Sequence, residues 1–250
     1  MESEVINRHI QNNQIDLRLN CNLKEIKSNA KGFVKSVVIE ETGEEIECNI
    51  VGLTTGVSPN IDFIKNSTIE TNKGVLVNRF LETNSKDIYA IGDCAEQRQA
   101  IGNRRAIEAV WYTGRMMGET LAQTICKNKI EYKPGNWFNS AKFFDIEYQT
   151  YGTVTSTPVY EEEQHLFWKH PKKNNSIRLS FNPSTNTLLG CITMGVRLRH
   201  SVFDEWLTNK EPMDSVIKNF KTANFDPEFY PTYEKELTME WETLKRHNNP

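Results

Sequence analysis

The residues best placed to bind a ligand are Gly92 and Asp93, which follow the uninterrupted apolar run 88–91. Such a run predicts a short strand buried on both faces, as in a parallel sheet. Glycine lets a ligand approach the backbone closely, and a carboxylate just past a strand's carboxyl end lies where α/β sheets bind ligands. The alternative is an ordinary strand exit in which Asp93 caps the next segment. Thr83, ten residues before the aspartate, makes the pattern more specific than Ile-Gly-Asp alone.

The run 81–96 resembles the second flavin-binding motif of the FAD-dependent pyridine nucleotide oxidoreductases, whose aspartate hydrogen-bonds the ribitol of FAD. The resemblance therefore implies that Asp93 binds FAD, with Gly92 beside it. Residues 54–60 (TTGVSPN) resemble the family's crossing from the NAD domain into the FAD domain. Residues 137–250 are similar to the C-terminal domain of the subgroup with rubredoxin, putidaredoxin and nitrite reductases. The implied cofactors are FAD and NAD(P)H.

A long helix is predicted over residues 104–127, because apolar residues recur there at steps of three or four. In the family, the N-terminus of this helix points at the flavin ring, where its dipole stabilises negative charge. The resemblance thus implies that Glu108, Val110 and Trp111 lie near the ring, and a core position for Trp111 is the equal alternative. Gly56 lies in a turn that relatives place beside the nicotinamide, so it is a further candidate for a cofactor-binding residue. The alternative is that this turn simply connects two domains.

Relatives often carry a tryptophan near the ring within the segment that matches residues 137–142. Here Asn139 occupies that place and Trp137 stands two residues earlier. No flavin-stacking role is carried over to Trp137.

The glycine fingerprint of dinucleotide-binding domains, Gly-x-Gly-x-x-Gly, is missing from the sequence. The chain has 13 glycines, and no two of them are separated by a single residue. Close approach of backbone to a pyrophosphate needs glycine at those positions. The sequence is therefore interpreted as the C-terminal portion of a larger flavoprotein, and the isolated chain is expected to retain little FAD.

The predicted fold class is α/β, with incomplete FAD- and NAD(P)-binding Rossmann-like domains followed by an α+β domain with an antiparallel sheet. The predicted domains are 1–55 (NAD(P)-binding part), 56–131 (FAD-binding part) and 132–250 (interface domain). Periodicity and turn residues predict further elements. The predicted helices are 2–12, 201–208, 213–220 and 233–246, and the predicted strands are 15–19, 23–28, 34–40, 44–48, 50–54, 74–77, 79–81, 149–155, 163–169, 176–182 and 187–194.

Composition places the chain among ordinary globular proteins, since 38% of its 250 residues are hydrophobic and 25% are charged. The net charge of −3 gives no reason to expect nucleic acid. No apolar run approaches the ~20 residues of a membrane span. The five dispersed cysteines and five histidines show neither a disulfide framework nor metal-ligand spacing, so no metal site is expected and a cytoplasmic location is favoured.

The chemistry implied by the resemblance is the flavin's own, so no catalytic side chain is predicted. The expected function is a part of an FAD-dependent NAD(P)H oxidoreductase that passes electrons to a small molecule or a small redox protein. The alternative is a non-catalytic subunit or binding module completed in trans. The basic residues 169–173 are interpreted as a solvated turn, with a docking surface for an acidic ferredoxin or rubredoxin as the alternative. A homodimer is left open.

Overall fold

The computed structural model describes residues 2–102, 104–156 and 163–248. Its contacts divide the chain into two compact units, Met1–Ser58 and Pro59–Pro250. Within the described residues, no helix is both long and apolar enough to cross a bilayer.

The first unit consists of one helix and a small antiparallel sheet. Helix α1 (Glu2–Asn12) buries Val5 on its apolar side. Strands β1 (Leu23–Ser28), β2 (Val34–Ile39) and β3 (Glu45–Glu47) pair antiparallel in the order β1-β2-β3. The helix over 2–12 and the three strands of this meander are confirmed.

Two strands predicted in this unit do not form. Residues 15–19 and 50–54 lie outside regular structure. Ile15 is 46% exposed and Ile50 is 87% exposed. A strand needs a hydrogen-bonded neighbour, and in the described part of the chain neither segment has one. The prediction of a strand over 15–19 and of a buried strand over 50–54 was wrong.

The second unit begins with a parallel strand pair and a helix. Strand β4 (Val75–Val77) pairs with β5 (Ala95–Gln97), and helix α2 spans Trp111–Ile125. The strand over 74–77 is confirmed, whereas those over 79–81 and 88–91 are wrong. Leu81 takes a φ of +64°, which an extended strand excludes. Ile88 and Ile91 are about 43% and 39% exposed, and the segment makes one isolated bridge, from Tyr89 to Glu82.

Helix α2 begins seven residues later than predicted. The backbone of Val110 is extended, with φ −133° and ψ 128°, so the helix starts at Trp111. Ile107 therefore lies outside the helix, although it continues the apolar spacing. The segment before the helix is fixed by side-chain contacts that hydrophobic periodicity does not show.

The rest of the second unit is a five-stranded antiparallel sheet with helices. Its strands are β6 (Phe138–Phe143), β7 (Ile146–Gly152), β8 (Gln164–Lys169), β9 (Ser176–Asn182) and β10 (Thr187–Met194), in the order β6-β7-β10-β9-β8. Helices α3 (His200–Thr208), α4 (Met213–Asn219) and α5 (Glu234–Asn248) follow. The predicted strands and helices are confirmed to within a few residues, and β6 was missed. The predicted fold class is therefore confirmed.

The main hydrophobic core lies in this antiparallel part. Phe203 and Phe220 are almost fully buried there, and so are Leu179 of β9 and Leu237 of α5. A smaller core joins Val77 and Ala95 to Met117 of α2. This smaller core holds the segment that carries Asp93 against helix α2.

Candidate cofactor-binding site

Asp93 lies in a short 3-10 turn, Gly92–Cys94, that leads directly into strand β5. Gly92 has a φ of +76°, in the left-handed region that favours glycine. The side chain of Asp93 is exposed, and no described residue donates a hydrogen bond to its carboxylate. The carboxylate is therefore free to accept hydrogen bonds from hydroxyl groups of a ligand.

Thr83 stabilises the turn that precedes this segment. Its N–H donates to the carbonyl of Ile88 at 3.0 Å, and its hydroxyl lies 2.9 Å from the same oxygen. Ser85 N–H donates to the threonine hydroxyl at 3.1 Å. The threonine of the motif thus closes the turn over residues 83–88, which sets the direction of the chain towards Asp93.

A buried glutamate fixes the other side of the same segment. Glu96 is 8% exposed and accepts hydrogen bonds from Asn72 Nδ2 at 2.9 Å and Gly74 N–H at 2.8 Å. A Cβ at Gly74 would lie 2.8 Å from the carbonyl oxygen of Cys94. This close backbone approach requires glycine, and neither contact was foreseen from the sequence.

The Gly92–Asp93 turn packs against the first turns of α2. A Cβ at Gly114 would lie only 3.3 Å from Gly92 Cα, and Gly92 N–H lies 3.3 Å from Met117 Sδ. Gly114 is three residues after Trp111, about one helical turn from the N-terminus of α2. The turn that carries Asp93 therefore lies next to the first turns of α2.

Among the residues that the structure describes, no side chain caps the N-terminus of α2. Val110 occupies the N-cap position, and it has no side-chain acceptor. The first intrahelical bond at this end runs from Gly114 N–H to Val110 O at 3.1 Å. The N–H groups of the first turn can therefore donate to a ligand, and the helix dipole favours negative charge there.

Arg104 and Glu108 form a buried bidentate ion pair in the segment that leads to α2. The guanidinium Nε and Nη2 atoms donate to the two carboxylate oxygens at 2.6 and 2.5 Å. The side chains are only 6% and 7% exposed. Arg104 Nη1 also donates to the carbonyls of Pro134 and Gly135, each at 3.2 Å, and its guanidinium lies 5.1 Å from the Trp137 ring centroid. Glu108 therefore holds Arg104, and Arg104 ties this segment to the start of the antiparallel domain.

Tyr112 makes a second connection between α2 and that domain. Its hydroxyl donates to the backbone carbonyl of Phe138, and the two rings stack with centroids 4.7 Å apart. Burial raises the pKa of the Tyr112 hydroxyl, so it stays a donor at neutral pH. Asn139 follows in β6, opposite Thr150 of β7. The sequence reasoning missed Arg104 and Tyr112, although the arginine four residues before Glu108 was a detectable signal.

A cavity of about 420 Å³ opens between these parts of the second unit. Its lining includes Arg105, Glu108, Val110, Trp137 and Thr150. Of the predicted site residues, the cavity brings together Glu108 and Val110. Val110, the residue before helix α2, is part of the lining, so this cavity lies next to the start of the helix.

The other predicted residues lie outside the cavity lining. Gly92 and Asp93 lie against α2, as described above, and Trp111 is 74% exposed, so Trp111 does not occupy the core position. Gly56 belongs to the first unit, has a φ of +90°, and has open space where a Cβ would be. Cys94 is a partly buried free thiol with Sγ 3.7 Å from Asn60 O.

Three comparisons with known proteins bear on this arrangement. Residues 1–118 match the family model described as pyridine nucleotide-disulphide oxidoreductase. The rubredoxin-NAD(+) reductase of Acinetobacter baylyi is 33% identical over 94 residues, which cover 38% of this chain and 24% of that protein. The NADH-rubredoxin oxidoreductase of Clostridium acetobutylicum is 51% identical over 57 residues, which cover 23% of this chain and 15% of that protein.

A solved structure shows the same fold over nearly the whole chain. The NAD-dependent persulfide reductase from A. fulgidus aligns with a TM-score of 0.77 and 16% identity, over 99% of this chain and 48% of that one. The chain thus spans about half the length of this structural relative. The matches to the two curated relatives span a quarter of their length or less.

Proposed function

From the match of residues 1–118 to the pyridine nucleotide-disulphide oxidoreductase family model, we propose that the chain belongs to this family, whose members use FAD and NAD(P)H, and that it is part of an FAD-dependent NAD(P)H oxidoreductase. The proposal includes a role in passing electrons from NAD(P)H through FAD to an acceptor. The observation that carries it is the close approach of Gly92 to Gly114, by which the turn that bears Asp93 packs against the first turns of α2.

These residues fit a flavin on chemical grounds. The Asp93 carboxylate accepts hydrogen bonds, as a polyol such as ribitol requires, and the N–H groups at the start of α2 suit an electron-rich ring edge. We assign the polyol to Asp93 and Gly92, and the ring to the first turn of α2 around Val110 and Trp111. The chemistry that a bound FAD supplies is hydride acceptance from NAD(P)H and onward electron transfer.

Glu108 has a supporting role in this proposal. Both of its carboxylate oxygens accept hydrogen bonds from Arg104, so the side chain positions the segment before α2. Gly56 remains a proposed nicotinamide neighbour, on the strength of its open left-handed backbone. The division into domains 1–55, 56–131 and 132–250 is likewise part of the proposal.

The glycine fingerprints that hold the phosphates are expected in polypeptide outside this sequence. We therefore expect the purified chain alone to retain little FAD. Co-expression with the coding sequence directly upstream should give a yellow complex that reduces ferricyanide with NADH or NADPH. A stoichiometric flavin spectrum from the chain alone would contradict the fragment interpretation, and a colourless, inactive complex would contradict the flavin assignment.

A non-catalytic subunit or binding module is the second candidate. It is favoured by the large core of the antiparallel part, where Phe203, Leu179 and Leu237 belong to one cluster of almost fully buried side chains. Such a part can fold without flavin. The same co-expression separates the two candidates, because a binding module shows no NAD(P)H-dependent reduction of ferricyanide.

For the electron acceptor, we propose a small acidic redox protein that docks at the β8–β9 turn. Lys172 and Lys173 are exposed there, and their N–H groups each donate to His170 Nδ1 at 3.0 Å, which fixes the turn. Two of the relatives are named as rubredoxin reductases. Replacing both lysines by methionine should slow rubredoxin reduction most at low salt and leave ferricyanide reduction unchanged.

The cytoplasm is the proposed location. All five cysteines are free thiols in the structure, which is typical of proteins in a reducing compartment. Detection of the protein in a membrane or periplasmic fraction would contradict this.

A further inference from the structure

A second and larger cavity, of about 720 Å³, lies next to Arg104 and is lined mainly by residues 131–137 and by the antiparallel domain. The two cavities share four lining residues, Arg104, Trp137, Gly152 and Thr153. The other lining residues of the larger cavity do not line the smaller one. Its volume falls in the range of pockets that bind small molecules, about 300–1,000 Å³. None of the residues proposed to hold the flavin lines it, so its role is a separate question.

The lining of this cavity is strongly basic. Arg79, Lys133 and Lys210 line it from three separate parts of the chain, and Glu131 is the acidic residue among the described lining residues. Among the described residues, none of these three cations belongs to an ion pair. Three cations against one carboxylate leave a local surplus of two positive charges, in a chain whose net charge is −3. A cleft of one sign concentrates ligands of the opposite sign.

The charge of Arg104 adds nothing to this surplus, because Glu108 neutralises it. A phosphate monoester carries a charge of about −1.5 to −2 at pH 7. A surplus of two positive charges therefore matches a phosphate monoester better than it matches a single carboxylate. Lysine and arginine together are the usual partners of phosphate oxygens.

Other lining groups suit the organic part of such a ligand. Leu188, Leu189 and Leu207 are among the lining residues and supply apolar surface, here called the leucine wall, and the hydroxyls of Thr185 and Thr187, also lining residues, lie 2.8 Å apart. Pockets for small organic ligands combine an apolar wall with a few polar groups in this way. Inorganic phosphate would leave the leucine wall without a partner.

Tyr132 supplies a further polar group in the lining. It is 3% exposed, and its hydroxyl has no hydrogen-bond partner among the described residues. Burial raises its pKa to about 12, so the hydroxyl remains a donor throughout the physiological range. Buried polar groups in native proteins are nearly always partnered, but this hydroxyl is itself shielded, so it would donate to a ligand only after a local shift of its neighbours.

We propose that this basic cavity binds a small organic phosphate, with the phosphate on Arg79, Lys133 and Lys210 and the organic part against the leucine wall. The proposal is independent of the flavin assignment, since it uses different residues. Calorimetric titration of the purified chain tests it with three probes: phenyl phosphate, phenol and inorganic phosphate.

Phenyl phosphate should bind more tightly than inorganic phosphate, and phenol should not bind measurably. The Lys133→Met/Lys210→Met variant should bind phenyl phosphate at least roughly 10-fold more weakly, as expected for the loss of charge-assisted contacts. Lys218→Met/Lys221→Met is the matched control, because both lysines are exposed, lie in the same unit and do not line the cavity. It makes the same change in net charge and should bind as the wild type does.

Circular dichroism of each variant establishes that it is folded before the comparison. If the wild type does not bind phenyl phosphate, the proposal is overturned. It is also overturned if the two lysine variants lose the same amount of affinity for phenyl phosphate, because the effect would then come from net charge. Equal affinity for phenyl phosphate and inorganic phosphate would overturn the organic part of the assignment.

Discussion

Removal of the negative charge of Glu108 should destabilise the second unit strongly, because Glu108 is the counter-ion of a buried arginine. Glu108→Gln keeps the shape of the side chain but leaves the Arg104 guanidinium, 6% exposed, without its counter-charge. Breaking a buried ion pair by removing one partner costs about 3–5 kcal/mol. The lower figure applies here, because Arg104 keeps its bonds to the carbonyls of residues 134–136.

The expected change in thermal stability follows from the size of the unit. For a domain of about 150–250 residues, each kcal/mol shifts Tm by about 2–4 °C. A loss of about 3 kcal/mol therefore lowers Tm by roughly 6–12 °C. Tryptophan fluorescence reports this unit selectively, because all five tryptophans lie after residue 58.

A second i,i+4 pair in the same unit provides the control. Arg115 and Glu119 make an ion pair at 2.8 Å, but their side chains are 66% and 60% exposed. Double-mutant cycles should give a coupling of about 2–3 kcal/mol for Arg104 with Glu108. The exposed pair should give about 0.3–0.5 kcal/mol. If Glu108→Gln changes Tm no more than Glu119→Gln does, the anchoring role of the buried pair is refuted.

Two further predictions concern packing and thiol reactivity. Gly74→Ala should lower Tm, because the added Cβ would lie 2.8 Å from Cys94 O. Gly52→Ala should change Tm little, because nothing lies within 4 Å of a Cβ at that position. Equal shifts of Tm in the two variants would contradict the close approach at Gly74. Cys191 is fully buried, which raises the pKa of its thiol, whereas Cys126 is exposed. A thiol reagent should therefore modify Cys126 in the native protein and Cys191 only after denaturation, as measured by peptide mass spectrometry. Labelling of Cys191 in the native protein would contradict its burial.

The sequence was sufficient to predict elements whose partners lie close along the chain. The meander of β1 to β3 and the hairpin of β9 and β10 were recognised, because turn residues separate these strands and each strand pairs with a neighbour across a short turn. The family resemblance drawn from the Asp93 motif is confirmed by the match over residues 1–118. These signals are local, so a single sequence displays them.

The errors occurred where structure depends on distant partners. Residues 15–19, 50–54 and 88–91 have apolar composition but no paired strand beside them in the described part of the chain, so composition alone misassigned them. The start of α2 was predicted seven residues early, because the apolar spacing continues through Ile107, whereas the backbone of Val110 is extended and the helix begins only after it. A contact between Arg104 and the carbonyls of residues 134–136 cannot be read from periodicity.

The site itself was predicted only in part. Asp93 was selected from a motif, and its nearness to the start of α2 was an implication of the resemblance. The structure supplies the physical reason, since the glycines at 92 and 114 allow the two backbones to touch. The assignment of FAD contacts to Asp93, Gly92, Val110 and Trp111 stays a prediction.

Binding of two flavins that differ only in the polyol tests the central claim most directly. Riboflavin carries the ring and the ribitol, whereas lumiflavin carries the ring without it, and quenching of flavin fluorescence by the flavin-free form of the co-expressed complex measures both. Asp93→Ala should weaken riboflavin binding roughly 10- to 100-fold, the loss expected for hydrogen bonds to a charged group, and leave lumiflavin binding unchanged. Glu119→Ala, which removes an exposed carboxylate from α2, should change neither. Equal effects of Asp93→Ala on the two flavins, or none on riboflavin, would contradict the assignment of this aspartate to the polyol.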